Sequence, residues 1–233
     1  MTSAESQTPP AATHSLTLDR GLRALRVLLA HPDAMSVAEL AAALGTHRAA
    51  VYRLLAPLTE HHLVRRQADG RYALGAGLLD LAGGVQSRLQ EEAEPVLRQL
   101  AEQLAATTAL TIRDGDEAVV ATVITPRDQL VHVTYRTGMR HPLVRGAPGL
   151  ALLAALPARP GERTEVSRAR DQGWARSTGE LLPGATGVAA AICPRAREPV
   201  AAISAIWITG IDIERAGRAV AAAAQRLTLQ LRS

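Results

Sequence analysis

The sequence has no phenylalanine and no lysine, a single cysteine, and aromatics at only 2% of its 233 residues. One cysteine, Cys193, excludes an intrachain disulfide and any metal site built from several cysteine ligands. Next to Pro194 at an expected strand end, it reads as a small buried hydrophobe rather than a nucleophile. No apolar run approaches the roughly 20 residues that cross a bilayer, so no membrane partner is expected. Residues 1–15 are polar, carry two prolines and lack an apolar core. They read as a disordered lead-in rather than a secretory signal, which points to a cytoplasmic chain.

Enzyme signatures are also missing. There is no Gly-x-Ser-x-Gly elbow, phosphate loop, His-Glu-x-x-His helix or spaced Cys/His ligand set. No catalytic residue, cofactor or metal is therefore expected. His61 and His62 are adjacent on a helix, where neighbours point in different directions, so they read as a surface pair. Without lysine, the net charge of +4 (26 basic against 22 acidic residues) is carried by arginine. That balance is compatible with nucleic-acid binding but too small to establish it. Position has to decide.

The first third of the chain is the most informative. Leu18, Leu22, Leu25 and Leu29 recur at helical spacing and predict an amphipathic helix ending at His31-Pro32. Ser36-Val37-Ala38-Glu39 is a capping box that opens a second, short helix with Val37, Leu40, Ala41 and Leu44 inward, closed by Gly45. A third helix follows from about Arg48. Its stripe Val51, Leu54, Leu55, Leu58 has the spacing of a buried face. At 100° per residue, Ala49, Tyr52, Arg53 and Ala56 lie opposite that stripe, with Arg48 on the flank.

Alone, such a face is most simply a solvated one. Its neighbours shift the balance. The preceding helix and Gly turn have helix-turn-helix spacing. The stretch Leu63–Leu74 reads as a hairpin with an Asp69-Gly70 turn, decorated by Arg65, Arg66 and Arg71. Small residues let a backbone approach a major groove, while Arg48, Tyr52 and Arg53 reach bases or phosphates beside Ala49. The hairpin arginines would contact phosphate as a wing. Pro57 removes one hydrogen bond, to the Arg53 carbonyl, and should kink the third helix only beyond its groove-facing turns.

Downstream, Leu78, Leu79, Ala82 and Val85 begin a helical connection bent at Gly83-Gly84. A longer amphipathic stretch through Leu89, Ala93, Val96, Leu97, Leu100 and Leu104 follows, with Pro95 marking a bend. The pattern then changes to strands. Residues 109–113 and 118–124 flank Asp114-Gly115-Asp116, 130–135 alternates, and 187–193 pairs with 200–208. Residues 149–156 read as a short helix and 213–231 as a closing Ala-rich helix. The expected class is α+β, an antiparallel sheet with helices on one side.

These segments together resemble the IclR family of transcription regulators. The resemblance rests on Ser36–Leu58, Arg71–Gly75, Gly138-Met139-Arg140-His141-Pro142-Leu143 followed by Gly149–Ala154, Gly187–Ile192 and Arg197–Ser204. It implies a winged helix-turn-helix over 16–75, linker and dimerisation helices over 76–106, and a GAF-like effector-binding domain over 107–233. It also implies double-stranded operator DNA, a small-molecule effector, and self-association as a homodimer or dimer of dimers.

By position, the implied effector pocket takes Gly146, Ala147 and Pro148, then Ser177, Gly187, Ser204 and Ile206. Members that bind small oxo-acids tend to have an acidic residue, a cysteine and two serines at the last four positions. Here only Ser204 keeps that pattern. Fewer hydrogen-bonding groups disfavour a small, highly charged ligand and favour a less polar one, or a pocket that no longer responds. The short segment between Ala155 and Gly173 suggests a trimmed, more open pocket. Trp207 reads as core rather than pocket wall. The rival reading is a DNA-binding regulator or architectural protein with no working effector site.

Overall fold

The computed structural model describes residues 15–83, 88–126, 135–195, 198–208, 210 and 212–232. Almost all of the expected lead-in and of the strand expected at 130–135, together with Gly84, lies outside them. The chain divides into two compact units, 1–85 and 86–233.

The first unit opens with α1 (Leu16–Ala30), capped by the Ser15 hydroxyl, which accepts from the Leu18 amide. This helix corrects one expectation. Gly21, Ala24 and Leu28 face inward, while Leu18, Leu22 and Leu29 are exposed at 63%, 53% and 73%. Gly21 and Ala24 are small enough for α1 to lie close against the rest of the unit, so the leucines on its other side stay outside. Only Leu25 of the expected stripe is partly buried against the core.

The capping box forms as the sequence reads. Ser36 N donates to Glu39 Oε2 at 2.6 Å and Glu39 N donates to Ser36 Oγ at 3.3 Å, opening α2 (Val37–Leu44). Gly45 ends it in the left-handed region at φ 61°, a conformation glycine adopts without strain. Next, α3 (Arg48–Glu60) buries Val51, Leu54 and Leu55 and half-buries Leu58. Pro57 withholds its one hydrogen bond, yet the helix continues three residues beyond it. Strands β1 (Val64–Arg66) and β2 (Tyr72–Leu74) pair antiparallel, with Val64 opposite Leu74 and Arg66 opposite Tyr72. Met35 joins their edge through backbone bonds of 2.8 and 2.7 Å with Tyr72, and α4 (Gly77–Gly83) follows.

In the second unit, α5 (Arg88–Leu104) leads into β3 (Thr107–Asp114) and β4 (Glu117–Ile124). Then come β5 (Arg140–Pro142), α6 (Gly146–Ala155), α7 (Thr164–Gln172), β6 (Ala175–Thr178), β7 (Thr186–Ile192), β8 (Ala201–Trp207) and α8 (Ile213–Gln230). The sheet is antiparallel throughout, in the order β5-β4-β3-β8-β7-β6. Helices cover both faces, not one. Val188, Ala190, Ile192, Ile203, Ala205 and Trp207 share a core with α5 and α8. Ala189 and Ala202 share another with α6 and α7. The reason lies in β8, where all seven residues are buried. A strand apolar on both sides needs a layer on each.

Two further placements follow. Helix α5 is no mere spacer, because Ala93, Leu97, Leu100 and Leu104 belong to the sheet core. Trp207 is also core, on the α5/α8 face. No helix among the described residues is long and apolar enough to cross a membrane.

Candidate nucleic-acid interface and ligand pocket

The interface is built from the inside outward. With Val51, Leu54 and Leu55 sealed in the first unit's core, α3 presents Arg48, Ala49, Tyr52, Arg53 and Ala56 to solvent. Tyr52 is 54% exposed, an open position for a ring that normally hides much of its area. None of the ion pairs among the described residues engages Arg48, Arg53, Arg65 or Arg66. On the hairpin, Arg65 and Arg66 are exposed, and the Arg66 guanidinium lies 5.9 Å from the Tyr72 ring centre. His61 and His62 are also exposed, and His62 turns the chain with φ 58°. No cluster of three or more metal-ligating side chains occurs among the described residues.

Arg71, expected to contact phosphate, is engaged within the unit. Its Nε donates to the Ala34 carbonyl at 2.7 Å, and one terminal nitrogen reaches Glu39 Oε1 and Oε2 at 3.1 and 2.8 Å. The guanidinium therefore straps the hairpin to the capping box. Glu39 is held below the usual carboxylate range by the Ser36 backbone and hydroxyl first, and by Arg71 after them. A cation already paired with a carboxylate adds little to phosphate binding. We expect Arg71→Ala to lower the melting temperature of this unit by about 4–8 °C, the shift for roughly 1 kcal/mol in a domain of this size. The salt dependence of DNA binding should be unchanged. A clearly flatter salt dependence would restore the phosphate role.

In the second unit, Ala147, Pro148, Ser177, Gly187, Ser204 and Ile206 line one cavity. Gly146 stands at its edge. The remaining walls are Tyr135, Glu180, Leu181, Leu182, Ala185 and Thr186. The open space is small, about 30 Å³. Residues 179–185 fill it from the β6–β7 connection.

That filling is specific. Helix α6 starts without a side-chain cap from its own flank, which leaves its first amides to find acceptors elsewhere. Gly146 N donates to Glu180 Oε2 at 2.7 Å and Ala147 N donates to Ser177 Oγ at 2.8 Å. Arg163, at the α7 N-terminus, pairs with Glu180 Oε1 at 2.8 Å, and an Arg145 terminal nitrogen donates to the Glu180 carbonyl oxygen. The Arg163 guanidinium is the main cause holding the Glu180 carboxyl below its ordinary range.

Tyr135 is only 5% exposed, with its hydroxyl turned toward that of Thr111. Burial pushes its pKa up to about 12, so the phenol stays neutral. The Ser204 hydroxyl reaches the Ala109 carbonyl only at 3.5 Å. Cys193 is half-buried and its thiol pushed up by that burial, the opposite of an activated nucleophile.

Glu180, Leu181, Leu182, Tyr135 and Arg163 escaped the sequence reading. The one signal for the first three was an acidic residue and two leucines placed between Ser177 and the Pro183-Gly184 turn.

Comparison with known proteins bears on both sites. Residues 17–68 match the IclR helix-turn-helix domain, and residues 85–164 match the bacterial transcriptional regulator IclR C-terminal domain. The chain is 39% identical to the HTH-type transcriptional regulator Rv1719 of Mycobacterium tuberculosis, over 64% of this chain and 58% of that protein. It is 26% identical to the transcriptional repressor IclR of Escherichia coli over 95% and 92% of the two chains. The matched region spans little more than half the length of several curated relatives. Among solved structures, an IclR homologue from Microbacterium hydrocarbonoxydans, complexed with 4-hydroxybenzoate, has the same fold. It superposes with a TM-score of 0.79 at 22% identity, covering 93% of this chain and 99% of that one.

Proposed function

The chain belongs to the IclR family of transcription regulators, and from that premise we propose that it binds double-stranded operator DNA under the control of a small-molecule effector. The observation that carries this reading is the α3 face. Arg48, Tyr52 and Arg53 stand outward on a helix whose other side is sealed, with Arg65 and Arg66 exposed on the adjoining hairpin. Arg48, Ala49, Tyr52 and Arg53 read the major groove, and Arg65 and Arg66 contact phosphate. Such a partner places the protein in the cytoplasm.

Two exposed leucine groups support self-association as a dimer or dimer of dimers. They are Leu16, Leu18, Leu22 and Leu29 on α1, and Leu79 and Leu81 on α4. Paired recognition helices would then address half-sites about one helical turn apart, or a multiple of it. The effector occupies the cavity between α6 and the β6–β7 connection, and 4-hydroxybenzoate, the ligand of the Microbacterium relative, is the first to try. For regulation it must bind one arrangement of the paired DNA-binding units better than another. The cavity's small free volume favours the rival, a DNA-binding protein without a working effector site. A melting temperature that stays fixed across a wide excess of acids would support that rival.

The test is a duplex-binding titration across salt concentrations. Observed affinity should fall with log salt at a slope of roughly −0.9 per phosphate contact. Arg65→Ala and Arg66→Ala should each reduce the slope by about one contact and weaken all duplexes alike. A purified chain that ignores double-stranded DNA at low salt overturns the reading.

A further inference from the structure

We infer that the free edge of β6 is a self-association surface, on which a second copy of the chain adds its own β6 antiparallel about a two-fold axis at Ser177. The two six-stranded sheets then run on as one. This goes beyond the proposed function, whose exposed leucines all belong to the first unit.

The edge follows from the hydrogen-bond pattern. Strand β6 ends the sheet, with β7 on one side and no strand among the described residues on the other. Gly179 N donates to the Ala185 carbonyl at 2.8 Å, in step with the pairing of Ser177 with Gly187 and of Ala175 with Ala189. In an antiparallel pair such bonds fall on alternate residues. Arg176 and Thr178 therefore turn their N–H and C=O groups away from β7. Both residues are exposed, and no hydrogen bond among the described residues engages those outward groups.

The ends of the edge are closed. Gln172 Nε2 donates to the Trp174 carbonyl at 2.7 Å, and an Arg145 terminal nitrogen donates to the Glu180 carbonyl. Two residues stay open, and they fix the register. With Ser177 facing its own equivalent, Arg176 stands opposite Thr178 of the second copy, and every open N–H meets an open C=O. A shift of two residues either way sets one open residue against itself and the other against Trp174 or Glu180, whose carbonyls are taken. Such leftover edge groups are a template for another chain, and self-pairing of one patch is what a two-fold axis requires.

Room and charge agree with a like partner. An open groove of about 420 Å³ lies along β6, bounded by Glu165 and Arg168 of α7 and by Glu214 of α8, so neither helix covers the strand. Arg176 and Thr178 share the sheet side of Trp174, which packs with α8. Each copy thus brings one cation and one acid to each side of the sheet, Arg168 with Glu165 and Arg176 with Glu214. Neither arginine takes part in any ion pair among the described residues. The remaining acid, Glu180, is already paired with Arg163. A partner of one sign would repel half of these charges, whereas a second copy balances both sides.

A short edge strand bearing a charge is also a way to avoid pairing. The placement here argues otherwise. Arg176 projects to the α8 side, into the groove that Glu214 shares, and leaves the backbone groups uncovered. A blunted edge carries a proline or a bulge, and β6 has neither. A ladder this short holds two chains weakly by itself. It gains strength between chains already joined elsewhere, through the effective concentration that linkage provides.

Sedimentation of the full chain across a concentration series, without DNA, tests this. Thr178→Pro removes an outward N–H that β7 does not use, so the sheet keeps its own bonds. It should halve the mass of the largest assembly. Arg176→Glu gathers like charges on the α8 side and should do the same, and adding Glu214→Arg should restore the assembly. Melting followed by tryptophan fluorescence, from Trp174 at the head of β6 and Trp207, checks that each variant is folded. Crosslinking reads the register directly. In a Cys193→Ser background, Arg176→Cys and Thr178→Cys together should give a covalent dimer in air, because facing Cα atoms lie about 5.5 Å apart, within disulfide reach. Either substitution alone should give none, since like positions meet only diagonally.

An unaltered chain that stays monomeric at the highest concentration reached overturns the inference. So does an unchanged mass in both folded variants, Thr178→Pro and Arg176→Glu. A double cysteine variant that fails to crosslink, or single variants that crosslink as readily, overturn the two-fold at Ser177. Duplex binding on the same preparations keeps this apart from the regulator reading. A chain that binds DNA with its mass unmoved by the β6 substitutions loses only this surface.

Discussion

Arg53→Ala should collapse the preference for the chain's own operator over unrelated duplex, by about 5- to 150-fold. That range is the 1–3 kcal/mol by which a bidentate side-chain contact discriminates between bases. The position justifies the size. Arg53 lies on the outward side of α3, two residues from the buried Val51 and next to the buried Leu54, so its backbone is held while its side chain is free. It takes part in none of the ion pairs of the described residues, so no carboxylate has to be released before it meets a base. Duplexes selected from a random pool supply the preferred sequence, and competition against scrambled duplex supplies the ratio. A loss that is uniform across sequences would make Arg53 a phosphate contact, and no loss at all would remove it from the interface.

Much of this interface was legible because local rules and packing agree there. The capping box at Ser36 and Glu39, the left-handed Gly45 and the three-residue rhythm of Val51, Leu54 and Leu55 all act within a few residues of one another. Their structural consequence can be read from spacing alone. The same reading failed for α1, where leucines at the same rhythm lie outward. Spacing identifies a face but not what covers it, and Gly21 and Ala24 made the smaller face the better fit.

Arg71 shows a second limit. Its charge is visible in the sequence, but Glu39 lies 32 residues away and only the fold brings the two together. The pocket shows both sides. Six residues carried over by position line one cavity, since strands and a helix start fix where they stand. The segment that fills it comes from a connection between strands, and neither periodicity nor spacing reports where such a connection lies.

Gly75→Ala should cost the first unit on the order of 3 kcal/mol, the upper end of what forced overpacking costs. For a unit of this size that corresponds to a fall in melting temperature of about 12–24 °C. The argument is steric and local. A methyl group there would overlap the His62 carbonyl oxygen and lie 2.9 Å from its carbon and 3.0 Å from Val64 N. All three are backbone atoms, so no flexible side chain can yield. The Gly75 amide also donates to the Leu63 carbonyl at 2.9 Å, and Gly77 N donates to the His62 carbonyl at 2.9 Å. Moving the chain away breaks the link that seats the hairpin beside the end of α3. DNA affinity should therefore fall with stability, because α3 and the Arg65–Arg66 strand would no longer be held in one arrangement. Trp174 and Trp207 both belong to the second unit, so their fluorescence should report an unchanged transition while DNA binding is lost. A variant that keeps full affinity at 37 °C would show that the close approach at His62 does not hold the reading face in place.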